Sequence, residues 1–160
     1  MKIGFIGLGN VGGKLAGSLL RNKFNLTVID LDDNLVKDFV YKGSATAKSP
    51  KELAEKVDLI ITCLPSPKIC SEVMEKKDGV IEGLSKNKIW LEMSTTDNKE
   101  VKRIGELVKS KGAVPLEVIV IEPSVATAED GLVYVYVDCI TLELIVKVSV
   151  AKQLFCVFKI

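Results

Sequence analysis

Gly7-Leu8-Gly9-Asn10-Val11-Gly12 sets three glycines in a Gly-x-Gly-x-x-Gly turn close to the start of the chain. Each has a chemical use at that spacing. The first can make a tight turn because it has no Cβ. The second leaves room for a ligand to reach the backbone, and the third lets the following helix pack closely on the preceding strand. A helix that starts at such a turn offers free N–H groups and partial positive charge, which suits phosphate oxygens. The next residue able to do chemistry is Asp30. A carboxylate at the end of a second strand, roughly twenty residues after the glycines, can accept hydrogen bonds from ribose hydroxyls. Glycine turn and carboxylate together point to a dinucleotide. The glycine pattern alone would be weak evidence, because ordinary glycine-rich turns share it. Further along, Pro65-Ser66 and Ser94-Thr95 are small or polar residues that follow apolar runs. The chain has no histidine. That removes Ser-His-Asp and Cys-His nucleophile systems and any histidine metal site. Acid–base chemistry would fall to lysine, tyrosine or a carboxylate.

Alternating strands and helices must position these residues. Lys2 to Ile6 reads as a short buried strand. From about Asn10 to Asn22, Val11, Leu15 and Leu19 recur at helical spacing. Leu26 to Ile29 is a second strand. Asp32-Asp33-Asn34 can cap a helix to about Tyr41, and Ser44 to Ala47 is a short third strand. Ser49-Pro50-Lys51-Glu52 starts a helix with serine at N-cap, proline next and glutamate at N3. Val57 to Leu64 is a nearly continuous apolar run, as in a central parallel strand covered on both faces. A helix over about 68–77, a strand over 88–93, a helix over about 98–111 and a strand over 114–121 follow. Asp97 and Glu100 have the spacing of a capping pair for the last of these helices. Strictly alternating elements with short connections predict an α/β fold with a doubly wound, mainly parallel sheet of Rossmann type. Ligands of such sheets lie beyond the strand C-termini. The loops after Ile6, Ile29, Leu64 and Met93 should therefore share one edge.

Composition narrows the class. With 160 residues, 48% of them hydrophobic and 27% charged, the chain can bury a core of one domain. A net charge of +1 argues against a nucleic-acid or membrane-surface role driven by bulk charge. No apolar run approaches the ~20 residues of a membrane span. The chain opens directly on a strand, with no visible leader. Cys63, Cys70, Cys139 and Cys156 form no Cys-x-x-Cys pair. Cys63 and Cys70 stand in apolar surroundings, as small core residues do. A reducing cytosol is the simplest compartment.

At four ordered places the residues resemble the β-hydroxyacid dehydrogenase family, and within it the 3-hydroxyisobutyrate dehydrogenases more than 6-phosphogluconate dehydrogenase. The places are Gly4 to Gly12, Asp58 to Pro65, Gly79 to Leu84, and Glu92-Met93-Ser94-Thr95, which stands where the family has Asp-x-Ser-Thr. The resemblance covers about the first three quarters of the chain. It implies that Gly7, Leu8, Gly9, Asn10, Val11 and Gly12 form the phosphate loop of a nicotinamide cofactor. Asp30 would read its ribose, favouring NAD over NADP. Leu64, Pro65 and Thr95 would complete the cofactor site, and Ser94 with Thr95 would face a small hydroxy-acid substrate. Ser94 and Thr95 have a plainer use as helix-entry residues, and Pro65 ends its strand on either reading.

The resemblance fails further on. Where the family has Ala-Pro-Val-Ser-Gly-Gly, this chain has Val118-Ile119-Val120-Ile121-Glu122-Pro123. A glutamate there would repel a carboxylate. Ala128 to Leu132 matches the family's next turn again. The family's catalytic lysine belongs to an all-helical second domain, and no lysine in 147–160 sits in a matching motif. No catalytic residue is therefore assigned, and the 160 residues are expected to be incomplete as a catalyst. Leu132 to Val137 and the alternating run from Ile140 to Val150 read as strands. The expected division is a dinucleotide-binding domain over 1–138 and a strand-like tail over 139–160. Uncovered strand edges there should drive association into homo-oligomers. The alternative to a dehydrogenase domain is a non-catalytic dinucleotide-binding or oligomerising module.

Overall fold

The computed structural model describes residues 1–94 and 97–120, together with the backbone of three short strands at 135–137, 145–146 and 156–157. Strand β1 spans Lys2–Ile6, α1 Gly12–Arg21, β2 Asn25–Ile29, α2 Asp33–Tyr41, β3 Ala45–Thr46, α3 Pro50–Lys56 and β4 Leu59–Thr62. Then come α4 at Pro67–Glu75, the single-turn α5 at Val80–Gly83, β5 at Ile89–Glu92, α6 at Asn98–Ser110 and β6 at Val114–Val120. The late strands are β7 at Val135–Val137, β8 at Ile145–Val146 and β9 at Cys156–Val157.

The main sheet has the order β3-β2-β1-β4-β5-β6-β7. Its first six strands are parallel, and β7 joins β6 antiparallel. The expected doubly wound α/β sheet is thus present, with one antiparallel edge. β8 and β9 pair with each other in a separate antiparallel ribbon. β8 falls within the alternating run from Ile140 to Val150, and β9 lies beyond that run. The rest of the tail lies outside the described residues.

Side chains of successive strand residues point to opposite faces, and both faces are covered. Ile3, Phe5, Leu59, Ile61 and Leu91 pack with Leu15, Leu19 and Phe39 of α1 and α2. Ile6, Ile60 and Trp90 pack with Leu53, Met74, Ile104 and Val108 of α3, α4 and α6. That two-sided burial explains why β1 and β4 read as unbroken apolar runs rather than alternating ones.

Four helix starts follow the local capping sequence. Asp32, Ser49, Ser66 and Asp97 each accept a backbone N–H in the first turn of α2, α3, α4 and α6. Asp97 caps through the N–H of Lys99. Glu100, expected to complete a capping pair, instead meets Ser71 and Arg103. Arg103 also binds Glu75, so the carboxylate joins a bridge from α6 to α4. The Arg103 cation on the same helix and the Ser71 hydroxyl of α4 together outcompete a local backbone N–H. α5 was not foreseen as a helix; four residues carry too little periodicity to reveal one. No helix of the described residues is long and apolar enough to cross a membrane.

Candidate functional site

Five strands, β1 to β5, bring their C-terminal loops to one cleft of about 1280 Å³. Gly7, Gly9, Asn10, Val11 and Gly12 line it after β1, and Asp30 lines it after β2. Leu64 and Pro65 line it after β4, and Ser94 after β5. The cleft opens where the sheet order reverses direction between β1 and β4, the place where open α/β sheets bind ligands. Thr95 lies outside the described residues. Leu8 belongs to the turn, but its side chain is buried in the core.

The three glycines of the turn are glycines for different reasons. Gly7 has φ +99°, and a Cβ on it would lie 2.2 Å from the Cys63 carbonyl oxygen. A Cβ on Gly12 would lie 2.0 Å from the Gly7 carbonyl oxygen. The fold itself requires both. A Cβ on Gly9 would meet nothing within 4 Å, and Gly9 is not among the residues with positive φ. Nothing in the fold demands glycine there. The open space beside it is what a close-approaching ligand would use.

The start of α1 is also open. Val11 stands at its N-cap with no side-chain hydrogen bond, unlike the capping residues of α2, α3, α4 and α6. The turn closes through Gly13 N–H to the Gly9 carbonyl at 2.8 Å and Leu15 N–H to the Val11 carbonyl at 3.1 Å. Among the described residues no hydrogen bond engages the N–H groups of Asn10, Val11 or Gly12. The first N–H groups of a helix have no partner within it, and an anion at a helix N-terminus supplies one. The glycine turn therefore fits a pyrophosphate in space and in hydrogen-bonding capacity.

Asp30 is half-buried at the cleft wall and is held from both sides. Its Oδ2 accepts the Leu8 N–H at 2.5 Å and its Oδ1 accepts the Asp32 N–H at 2.9 Å. Leu8 thus contributes through its backbone, which ties the carboxylate to the glycine turn. Each carboxylate oxygen keeps a further lone pair for a hydroxyl.

On the other side of the turn, the loops after β4 and β5 are pinned together. Ser94 Oγ accepts the Leu64 N–H at 2.7 Å. Cys63, half-buried beside them, is a free thiol. Burial first, and then the Glu92 carboxylate, push it up to about 11. The same causes in the same order push the Cys70 thiol up much further. Neither is a nucleophile at neutral pH.

Sequence reading missed part of the wall. Lys48, Ser49 and Pro50 line the cleft after β3, and Ile69, Val73, Lys76 and Lys77 line it from α4 and the turn behind it. The same edge rule that gathered the other loops applies to Lys48, since it follows a parallel strand. Ile69 and Val73 stand four residues apart, on one face of α4. Both signals were in the sequence. The rim lysines bring cations to a cleft suited to phosphates. Among the described residues no cluster of cysteines or carboxylates could hold a metal ion.

Comparison with known proteins gives this geometry its family. Mouse mitochondrial 3-hydroxyisobutyrate dehydrogenase is 37% identical over 112 residues, which are 70% of this chain and 33% of that protein. The chain thus spans about a third of the length of this curated relative. The fold matches 3-hydroxyisobutyrate dehydrogenase of Mycobacterium tuberculosis, solved with L-serine, at a TM-score of 0.67 and 22% identity, over 76% of this chain and 40% of that one. It matches an imine reductase of Myxococcus stipitatus, solved in complex with NADP+, at a TM-score of 0.70 and 14% identity, over 76% and 42% of the two chains. The model of the NAD-binding domain of 6-phosphogluconate dehydrogenase matches residues 2–133, spanning the glycine turn, Asp30 and the β4 and β5 loops, and the chain belongs to that family.

Proposed function

We propose that the cleft holds a nicotinamide dinucleotide across the sheet switch point, with NAD preferred over NADP. Gly7, Gly9, Asn10, Val11 and Gly12 would receive the pyrophosphate, with the Leu8 backbone fixing Asp30 beside them. Asp30 would take the adenosine ribose hydroxyls. Leu64, Pro65, Ser94 and Thr95 would meet the other half. The observation that carries this reading is the empty space at Gly9, next to N–H groups that the described fold leaves without partners. The NAD preference rests on charge. Asp30, Asp32 and Asp33 stand together, with no arginine beside them, and would repel a 2′-phosphate.

When bound, a nicotinamide supplies hydride chemistry, and the protein supplies binding and orientation. We place the chain as the dinucleotide-binding domain of an oxidoreductase that transfers hydride between a 3-hydroxy acid and this cofactor. The 37% identity to a 3-hydroxyisobutyrate dehydrogenase supports it. Ser94 and Thr95 are the candidate substrate contacts. We also place the dinucleotide domain at 1–138 and the tail at 139–160, in a cytosolic homo-oligomer. Light scattering on the purified chain tests the last point, and a clean monomer would refute it.

Calorimetry with NADH and NADPH tests the central reading on the folded chain without relying on turnover. Saturable binding with NADH favoured is expected. No heat with either cofactor at millimolar concentration would refute it.

A further inference from the structure

Glu92, at the end of β5, is a carboxylate with no exposed surface. No lysine or arginine pairs with it among the described residues. A buried charge without a counter-ion is costly unless hydrogen bonds hold it. Three donors do so here. Glu92 Oε2 accepts from the Thr62 hydroxyl at 2.7 Å and from the Cys70 thiol at 3.0 Å, and Oε1 accepts from the Ser94 N–H at 2.6 Å. Thr62 is the cross-strand partner of Glu92, and its hydroxyl accepts the Trp90 indole N–H at 2.9 Å. The neighbours on this face are apolar, so an apolar residue would pack there without this network.

What the carboxylate holds is the cleft. Ser94 is the residue at which the chain leaves β5 for the cleft wall. Its N–H is fastened to Glu92, and its Oγ accepts the Leu64 N–H at 2.7 Å. A hydroxyl has one proton and two lone pairs. Ser94 is only 8% exposed, and with a lone pair committed to Leu64 its hydroxyl proton has no acceptor among the described residues. Ser94 lines the cleft. Asp30 follows β2 and Ser94 follows β5, three strand spacings apart in the sheet order, or about 14 Å. A dinucleotide whose adenosine ribose sits at Asp30 and whose phosphates sit at the glycine turn extends its other half toward Ser94.

We infer that Glu92 is a positioning residue: its buried carboxylate fixes Ser94 so that the serine hydroxyl donates its proton to the half of the dinucleotide beyond the glycine turn. The inference rests on the dinucleotide reading of the cleft. Glu92 touches no ligand itself and acts through Ser94.

The test compares NADH with ADP, which keeps the adenosine and both phosphates but lacks the second ribose and the nicotinamide. Both are titrated calorimetrically into the full chain and into Ser94→Ala, Glu92→Gln and the double variant. Ser94→Ala should weaken NADH about tenfold and leave ADP within about twofold. Glu92→Gln should give the same selective loss, and the double variant should be no worse than either single one, as coupled residues behave. Equal weakening of both ligands in Glu92→Gln would overturn the inference, because a purely structural role predicts that result. If Glu92→Gln does not fold, an unchanged NADH to ADP ratio in Ser94→Ala overturns it alone. A wild-type chain that binds neither ligand refutes the dinucleotide reading and the inference with it. A wild-type chain that binds both, with variants of unchanged ratio, refutes only the inference.

Discussion

Gly9→Ala adds one methyl group where the described fold puts no atom within 4 Å. Gly12→Ala adds the same group 2.0 Å from the Gly7 carbonyl oxygen, and Gly7→Ala adds it 2.2 Å from the Cys63 carbonyl oxygen at φ +99°. The three substitutions share their chemistry and differ only in surroundings, so their effects on folding and binding should separate. At Gly9 the backbone is not in the positive-φ region, so alanine mainly restricts the unfolded chain. Stability should rise by about 0.4–1 kcal/mol, a gain of roughly 1–4 °C in Tm for a domain of this size. At Gly12 a backbone oxygen must move, and overpacking of this kind costs about 1–3 kcal/mol, or roughly 2–12 °C. At Gly7 the strained φ adds to the clash. Binding should follow a different order. The Gly9 methyl occupies the approach of the pyrophosphate, so NADH should bind at least about tenfold more weakly, or about 1.4 kcal/mol, with Gly9→Val weaker still. Thermal unfolding and calorimetric titration on the same preparations decide it. Gly9→Ala that binds NADH like the parent would refute the assignment of that space to the phosphates. Gly9→Ala that melts as low as Gly12→Ala would refute the steric account of the turn.

Asp30→Ala should lower the NADH over NADPH preference, expected to be at least about tenfold in the parent; an unchanged ratio of dissociation constants would count against Asp30 as the ribose reader. Glu100 has its carboxyl held down to about 2, by Arg103 first and the Ser71 hydroxyl second. A depressed carboxyl contributes stability that is complete above its ordinary value near 4.5 and is lost as pH falls through about 2. Arg103→Met should therefore melt below the parent at neutral pH, with the gap closing between those two values; a gap independent of pH would refute the coupling. Cys63 and Cys70 should resist alkylation at mildly alkaline pH in the native chain and react in denaturant, because burial raises both thiols. Peptide mapping reads each cysteine separately, and rapid native labelling of Cys70 would contradict its burial.

The two halves of the site were not equally legible in the sequence, and the sheet explains why. The adenosine half is a local object. Its strand, turn, helix and carboxylate lie within the first thirty residues, and the hydrogen bond that joins them, Leu8 N–H to Asp30, crosses twenty-two positions. Every part of it has a residue-type signature: glycine where a carbonyl leaves no room for a Cβ, and a carboxylate where a second strand ends. The other half is assembled by strand pairing. β4 and β5 are neighbours in the sheet, and Thr62 opposes Glu92, but the contacts that shape the wall span twenty-two to thirty positions of chain with no spacing rule to announce them. Ser94 could be placed at the right edge because it follows a parallel strand. Its fastening to Leu64 and Glu92 could not. Glu92 itself sits in a sequence position that reads as an ordinary strand end, and its lack of a charged partner is visible only once β4, α4 and β5 pack around it. The Asp97–Glu100 spacing misled for the same reason: a local rule gave way to Arg103 and Ser71, the second from another helix. Local chemistry thus located the cleft, while long-range packing set the orientation of its far wall. If that division is physical, variants of the far wall should alter which half of a ligand is recognised, and variants of the glycine turn should alter recognition of both NADH and ADP, because both carry the pyrophosphate.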